Sequence, residues 1–343
     1  MFAHPVEMRR FVKLAGVGLF LLGGVALGAS PRSADWRAAL ERIMGPFPGP
    51  DRRGLVELRI EETVSGPGYV RQRVSYQSEP GARVPAYLLL PDAAVTNRSR
   101  SFPAVLALHQ THPAGQKVVV GLGRSPDDEY GVELVQRGYV VLAPPYPHLA
   151  DYAPSLAAFA SGTMKAIWDN SRGLDLLASL PCVATNRGFG AIGHSLGGHN
   201  SLFTAAFDAR ISAVATSCGF DSFRDYYDGK DEVWQPGRGW CQDRYMPRLA
   251  AYRGRLAELP FDFPLVLAAI APRPVLVNAP TGDSNFRWLS VDRVVAEAED
   301  LARLAGLTAA ITVEHPEAPH RFPPEQREHA YRLFDATLKS PGK

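Results

Sequence analysis

Phe189–Asn200 reads FGAIGHSLGGHN, an apolar run that ends in a serine set among glycines. An uninterrupted apolar run is what a strand covered on both faces looks like, and the following GGHNSLFTAAFD has helical spacing of its apolar residues. Between the two, Gly193-His194-Ser195-Leu196-Gly197 fits G-x-S-x-G. A strand-to-helix turn this sharp forces the serine into a strained backbone conformation, and side chains in place of the glycines would collide. It also lifts the hydroxyl out at the C-terminal edge of a sheet. The helix N-terminus and the N–H of Leu196 then face the point where an oxyanion would form. The alternative is a tight turn that happens to contain a serine; the order strand, turn, helix speaks for the first reading.

On either side the same texture repeats. AVLALH, YVVLAPP, ISAVATSC, PVLVNAP and AAITVEH are short apolar runs, separated by stretches with helical spacing such as DEYGVELVQRG, MKAIWDNSRGLDLLASL, WLSVDRVVAEAEDLARLAG and PEQREHAYRLFDATL. This order predicts an α/β fold with a mostly parallel central sheet flanked by helices. Ahead of it, LVELRIEETV, YVRQRVSYQS and ARVPAYLLLP alternate and are punctuated by Gly-Pro turns, which predicts an N-terminal antiparallel meander. SADWRAALERIM before them reads as a helix with Ser33 as N-cap, and DAAVTNRSRS as a polar loop. The irregular connection of about 219–264 is rich in Tyr, Trp and Arg and predicts an aromatic-rich lid insertion. No composition break divides residues 31–343, so a single domain is expected there.

A serine needs a base and an orienting acid, which on such a sheet follow in the order Ser, Asp or Glu, His. Asp283 comes just after PVLVNAP, and His320 just after AAITVEH. His320 would take and return the Ser195 proton while Asp283 fixes its tautomer. Asp221 is the rival acid and His315 the rival base. A second oxyanion donor is expected from the loop after AVLALH, at the N–H of Thr111 or else Gln110, with His109 a hydrogen-bonding core histidine. The pairs His109/His112 and His194/His199 have ligand-like gaps but no HExxH or cysteine cluster to support a metal. No cofactor is implied. Among the aromatic residues of the connection, Tyr226, Tyr227, Trp234, Trp240 and Tyr245 are candidates to shape the pocket, and Trp168 and Trp288 are read as core.

The composition excludes some partners. The chain has 343 residues, 46% hydrophobic and 21% charged, with 37 basic and 35 acidic residues giving a net charge of +2. Without a block of like charge, nucleic acid is not an expected partner. Arg9, Arg10 and Lys13 precede LAGVGLFLLGGVALG and a set of small residues, the layout of a signal peptide over 1–30. The run falls short of the roughly 20 residues of a membrane span, so an exported, periplasmic or extracellular protein is expected, without stable membrane association after cleavage; an uncleaved anchor is the alternative. Only Cys182, Cys218 and Cys241 are present. After export Cys218 and Cys241 would be the pair to oxidise; buried free thiols are the alternative.

LALHQTHPAGQK, RGYVVLAPPYPHLADY, GHSLGGHNSLFTAAFD, SCGFDSFRDYY, PFDFPLVLAAIAPRPVLVNAP and HPEAPHRFPP together resemble the α/β-hydrolase superfamily, in its dienelactone hydrolase-like and acetyl xylan esterase-like branch. The resemblance runs from about Tyr69 to about Leu338. It implies an α/β-hydrolase fold and carries the branch's triad onto Ser195, Asp283 and His320. Pro319 stands where a small residue usually precedes the catalytic histidine. The implied activity is that of a serine carboxylic-ester hydrolase working through an acyl-enzyme on a small-molecule or carbohydrate ester. Glucuronoyl esterases, a neighbouring group, typically carry arginine directly after the nucleophile; Leu196 stands there, which ranks that activity lower. The rival readings are a non-catalytic binding protein on the same fold and a prolyl oligopeptidase-like peptidase, for whose propeller the chain has no room.

Overall fold

The computed structural model describes residues 33–339 apart from Arg98 and Arg124. The segment read as a signal peptide lies outside the described residues. Helix α1 (Ser33–Met44) leads to three strands, β1 (Leu58–Gly66), β2 (Tyr69–Glu79) and β3 (Ala82–Pro91), joined as an antiparallel meander. A short helix α2 (Asp92–Thr96) follows, where the sequence reads as a polar loop. The chain then alternates: β4 (Ala104–Leu108), α3 (Tyr130–Gln136), β5 (Val140–Ala143), α4 (Gly162–Ser179), β6 (Phe189–His194), α5 (Leu196–Phe207) and β7 (Ile211–Ser217). After a long connection come α6 (Phe263–Ile270), β8 (Pro274–Asn278), α7 (Trp288–Leu304), β9 (Ala310–Glu314) and α8 (Pro324–Leu338).

All nine strands form one sheet in the order β1-β2-β3-β5-β4-β6-β7-β8-β9. From β5 to β9 every neighbouring pair is parallel, and β3 joins them antiparallel to β5. The expected sheet and meander are present. The packing explains the unbroken apolar runs. In β4, Ala104, Leu106 and Leu108 point into one buried cluster while Val105 and Ala107 point into the other. Successive side chains of a strand face opposite sides, so a strand with a helix layer on each side has no solvent face to mark with polar residues. Each fully buried large apolar side chain contributes about 1.5–3 kcal/mol.

Local chemistry sets the helix starts. Ser161 caps α4 by accepting the Met164 N–H at 3.0 Å, and Asp262 caps α6 by accepting the Phe263 N–H at 2.7 Å. The connection between β7 and α6 holds no strand and only short 3₁₀ turns. Among the described residues no helix is long and apolar enough to cross a membrane.

Candidate active site

Ser195 sits between β6 and α5 with φ 52° and ψ −121°, a conformation a non-glycine residue adopts only under constraint. The constraint is visible. Its N–H donates to the Ser217 carbonyl at 2.7 Å, and its carbonyl accepts the His199 N–H at 3.0 Å. A Cβ at Gly193 would overlap the Gly197 backbone, and one at Gly197 would overlap the Leu108 carbonyl. Both glycines are therefore required by close approach, as the motif suggests. Leu196 opens α5, and the first N–H groups of a helix have no intrahelical acceptor.

The structure brings His320 and Asp283 together. His320 Nδ1 lies 2.9 Å from both carboxylate oxygens of Asp283. Asp283 Oδ1 also accepts the N–H groups of Asn285 at 2.8 Å and Phe286 at 3.2 Å. Burial alone would raise the Asp283 carboxyl, but the His320 hydrogen bond and charge and those two N–H groups outweigh it and hold it below the ordinary carboxylate value. Its side chain is 1% exposed, so the carboxylate is aimed at one partner, and a donating Nδ1 leaves His320 Nε2 as an acceptor. Ser195, Leu196, Thr111 and His320 all line one cavity of about 510 Å³.

The rivals go elsewhere. Asp221 is buried and accepts the Arg287 N–H at 3.3 Å; burial, with Asp225, Asp262 and Asp283 nearby and that N–H opposing, pushes its carboxyl up to about 8. His315 uses both ring nitrogens on structure, Nδ1 at 2.7 Å from the Ala279 carbonyl and Nε2 at 2.9 Å from Asp292. His109 is fully engaged too. Its Nδ1–H donates to the Gln110 carbonyl at 2.7 Å and its Nε2 accepts the Tyr146 N–H at 2.9 Å. Burial lowers its pKa to about 4, which keeps the ring neutral. Because C=O and N–H point opposite ways across a trans peptide, pinning the Gln110 carbonyl turns the Thr111 N–H away from His109. Thr111 Oγ1 lies 3.4 Å from the Tyr245 hydroxyl.

The aromatic connection divides. Tyr226, Tyr227, Trp240 and Tyr245 line the cavity, joined by Phe286. Trp234 does not; it is buried against Phe223, which corrects its candidacy as a pocket residue. Trp168 is core, its Nε1–H donating to the Ser78 carbonyl at 3.2 Å, whereas Trp288 is only half-buried at the edge of the core, tilted against His315, which corrects its reading as a core residue. The three cysteines are free thiols, which corrects the Cys218–Cys241 pairing. Cys218 Sγ contacts the Arg321 carbonyl and Cys241 Sγ the Trp234 carbonyl, so each thiol has its own buried partner. Cys218, Asp283 and His320 bring three donor atoms within 4.8 Å of one another. Burial, with Asp283 beside it, raises the Cys218 thiol far above its ordinary pKa, which disfavours the thiolate a metal would need.

The sequence reading missed Asp127, Asp128 and Arg321, which also line the cavity. Asp127 pairs with Arg321, and burial raises the Asp128 carboxyl above its ordinary value, opposed by the neighbouring Gln110 and Ser125 side chains. Only the adjacency of Arg321 to His320 could have signalled any of them.

Known proteins bear on this geometry. Residues 157–301, less than half of the chain, match the family model described as glucuronyl esterase, fungi. No curated protein matches this sequence. Among solved structures, the glucuronoyl esterase from Solibacter usitatus superposes with a TM-score of 0.67 at 17% identity over 89% of this chain and 92% of its own. A CE15 glucuronoyl esterase from Teredinibacter turnerae gives 0.68 at 18% identity over 92% and 87%. A candidate acetyl xylan esterase from Bacteroides fragilis gives 0.58 at 17% over 90% and 82%. The low rank given to the glucuronoyl group on the strength of Leu196 is thereby revised at the level of similarity. With its parallel sheet, serine elbow and these structural relatives, the chain has the α/β-hydrolase fold.

Proposed function

We propose that this protein is a serine carboxylic-ester hydrolase acting on carbohydrate esters, with Ser195, His320 and Asp283 as its triad. The observation that carries the reading is the His320–Asp283 pair at 2.9 Å beside a strained Ser195 on the same cavity. His320 Nε2 takes the Ser195 Oγ proton as the oxygen attacks the ester carbonyl. The N–H groups of Leu196 and Thr111 hold the oxyanion. Collapse breaks the acyl–oxygen bond, and His320 returns the proton to the leaving alkoxide. Water, deprotonated by His320, then attacks the acyl-enzyme; Ser195 recovers the proton and the carboxylic acid leaves. The cavity lining combines the aromatic Tyr226, Trp240 and Phe286 with the polar Asp127, Asp128 and Arg321, a combination that suits a sugar, which offers C–H faces and hydroxyls together. The aromatic-rich connection acts as a lid over one domain, and the basic-then-apolar N-terminus directs export.

The test is labelling with a fluorophosphonate probe, mapped by mass spectrometry, on wild type and on Ser195→Ala and His320→Ala variants. Label confined to Ser195 and lost from both variants is expected. A folded wild type that stays unlabelled would sink the enzyme reading and favour a binding protein.

A further inference from the structure

One polar ring on the cavity is left unused by this chemistry. His194 lines the cavity beside Ser195, and its ring centroid stands 4.8 Å from that of His320. Its Nδ1 points into the protein, 3.0 Å from Oγ of the fully buried Ser217. A third residue takes part in the same network. Asn278, at the end of β8, places Nδ2 3.0 Å from the Arg321 carbonyl; a carbonyl only accepts, so the NH₂ of Asn278 is the group that faces it. The same Nδ2 lies 2.8 Å from Ser217 Oγ and donates to it.

Ser217 has one proton to give. His194 Nδ1 at 3.0 Å is a closer acceptor than the Arg321 carbonyl at 3.4 Å or the Cys218 sulfur at 3.7 Å. On that ranking of distances the Ser217 proton goes to His194, with Nδ1 as its acceptor. A neutral imidazole with an accepting Nδ1 carries its proton on Nε2. Burial, helped by His320 and opposed by the Asp283 charge and the Ser217 backbone carbonyl, lowers the His194 pKa to about 3 and keeps the ring neutral. Among the described residues Nε2 has no hydrogen-bond partner, and with Nδ1 turned inward the Nε2 edge is the one on the cavity side.

We propose that His194 contacts the substrate: the relay from the Arg321 carbonyl through Asn278 and Ser217 fixes its Nε2–H tautomer and offers that N–H to an acceptor oxygen flanking the scissile ester. This rests on the ester-hydrolase reading. The ligand chemistry is specific. A fixed neutral donor favours an ether, hydroxyl or carbonyl oxygen and gives nothing to a methylene in the same place. The relay joins the ends of β6, β7 and β8 to the loop that carries His320, so the donor is held on rigid elements.

Two pairs of esters, each differing by one CH₂ replaced by an ether oxygen, test the contact. They are p-nitrophenyl methoxyacetate against p-nitrophenyl butyrate, and 2-methoxyethyl acetate against n-butyl acetate. In His194→Asn, which can still accept from Ser217 but does not reach the Nε2 position, the kcat/KM preference for the ether member of at least one pair falls about tenfold, the worth of one neutral hydrogen bond. In His194→Gln, whose amide nitrogen reaches that position, the preference returns. Preferences unchanged in both pairs overturn the contact. So does an equal loss on ether and hydrocarbon members with reduced Ser195 labelling, which marks a packing role. The relay has its own readout: ¹⁵N-histidine NMR of wild type should show His194 protonated at Nε2, and an Nδ1–H tautomer overturns it. A wild type that is labelled yet inert towards all four esters removes the ester reading and the contact together, while the NMR result still decides the relay.

Discussion

On one side of the cavity Ser195 is held by backbone: β6 runs into α5 through a turn in which Gly193 and Gly197 touch neighbouring main chain and the serine keeps φ at 52°. On the other side Trp240 is held by side chains. It stacks on His199 at 4.4 Å and packs within 5.1 Å of Tyr245 and 5.8 Å of Tyr226, in a connection without regular strands. The first region is set by sterics that any sequence obeys locally, the second by contacts between distant residues. In the proposed reaction the geometry for bond making sits on the first, and the second shapes what enters and can vary without moving Ser195.

The largest expected effect tests the rigid side. Asp283→Asn keeps the shape but presents the wrong tautomer to His320, and kcat on p-nitrophenyl acetate should fall about 10⁴-fold with the fold intact. A loss under tenfold would return Asp221 to contention. Next comes the aromatic side. Trp240→Ala should cost about 3–5 kcal/mol of stability in denaturant unfolding, since the ring is nearly fully buried. Fluorophosphonate labelling of Ser195 well below the unfolding midpoint should persist. If labelling disappears as well, the two sides are not independent and the contrast fails.

The smallest effect is a pH dependence. Asp221 is pushed up to about 8 in the fold, so between the ordinary carboxylate pKa and about 8 the native state holds a proton that the unfolded chain has released. Its contribution to stability is thus present at low pH and lost as pH rises through that window. Asp221→Asn should therefore raise the unfolding temperature at pH 8, and the gain should vanish towards pH 4. A gain of the same size at both pH values would mean that Asp221 is ionised in the fold.

Much of this was legible in the chain. Runs such as AVLAL identify doubly covered strands, and the G-x-S-x-G turn and two strand ends single out Ser195, Asp283 and His320 as triad candidates. The limits fall where distance in sequence is large. DAAVT reads as loop because its polar flanks mask a five-residue helix packed through Ala94. Trp234 and Trp240 look alike in the sequence, yet one is core and the other wall, because each is assigned by what it meets and not by its neighbours in the chain.

What the sequence determined by itself is the set of conformations that short-range sterics and periodicity impose: alternating strand and helix, and an elbow that only glycine permits around Ser195. The tertiary structure alone decided the charge and proton directions at the cavity. Ser217 reaches His194 across 23 residues and Asn278 reaches Ser217 across 61. The hydrogen-bond partner of His194, the free state of Cys218 and the engagement of Asp221 by the Arg287 N–H all follow from such pairings. A hydrogen bond has an energy only when its partner is in place, and no local pattern records which partner the sheet will bring there.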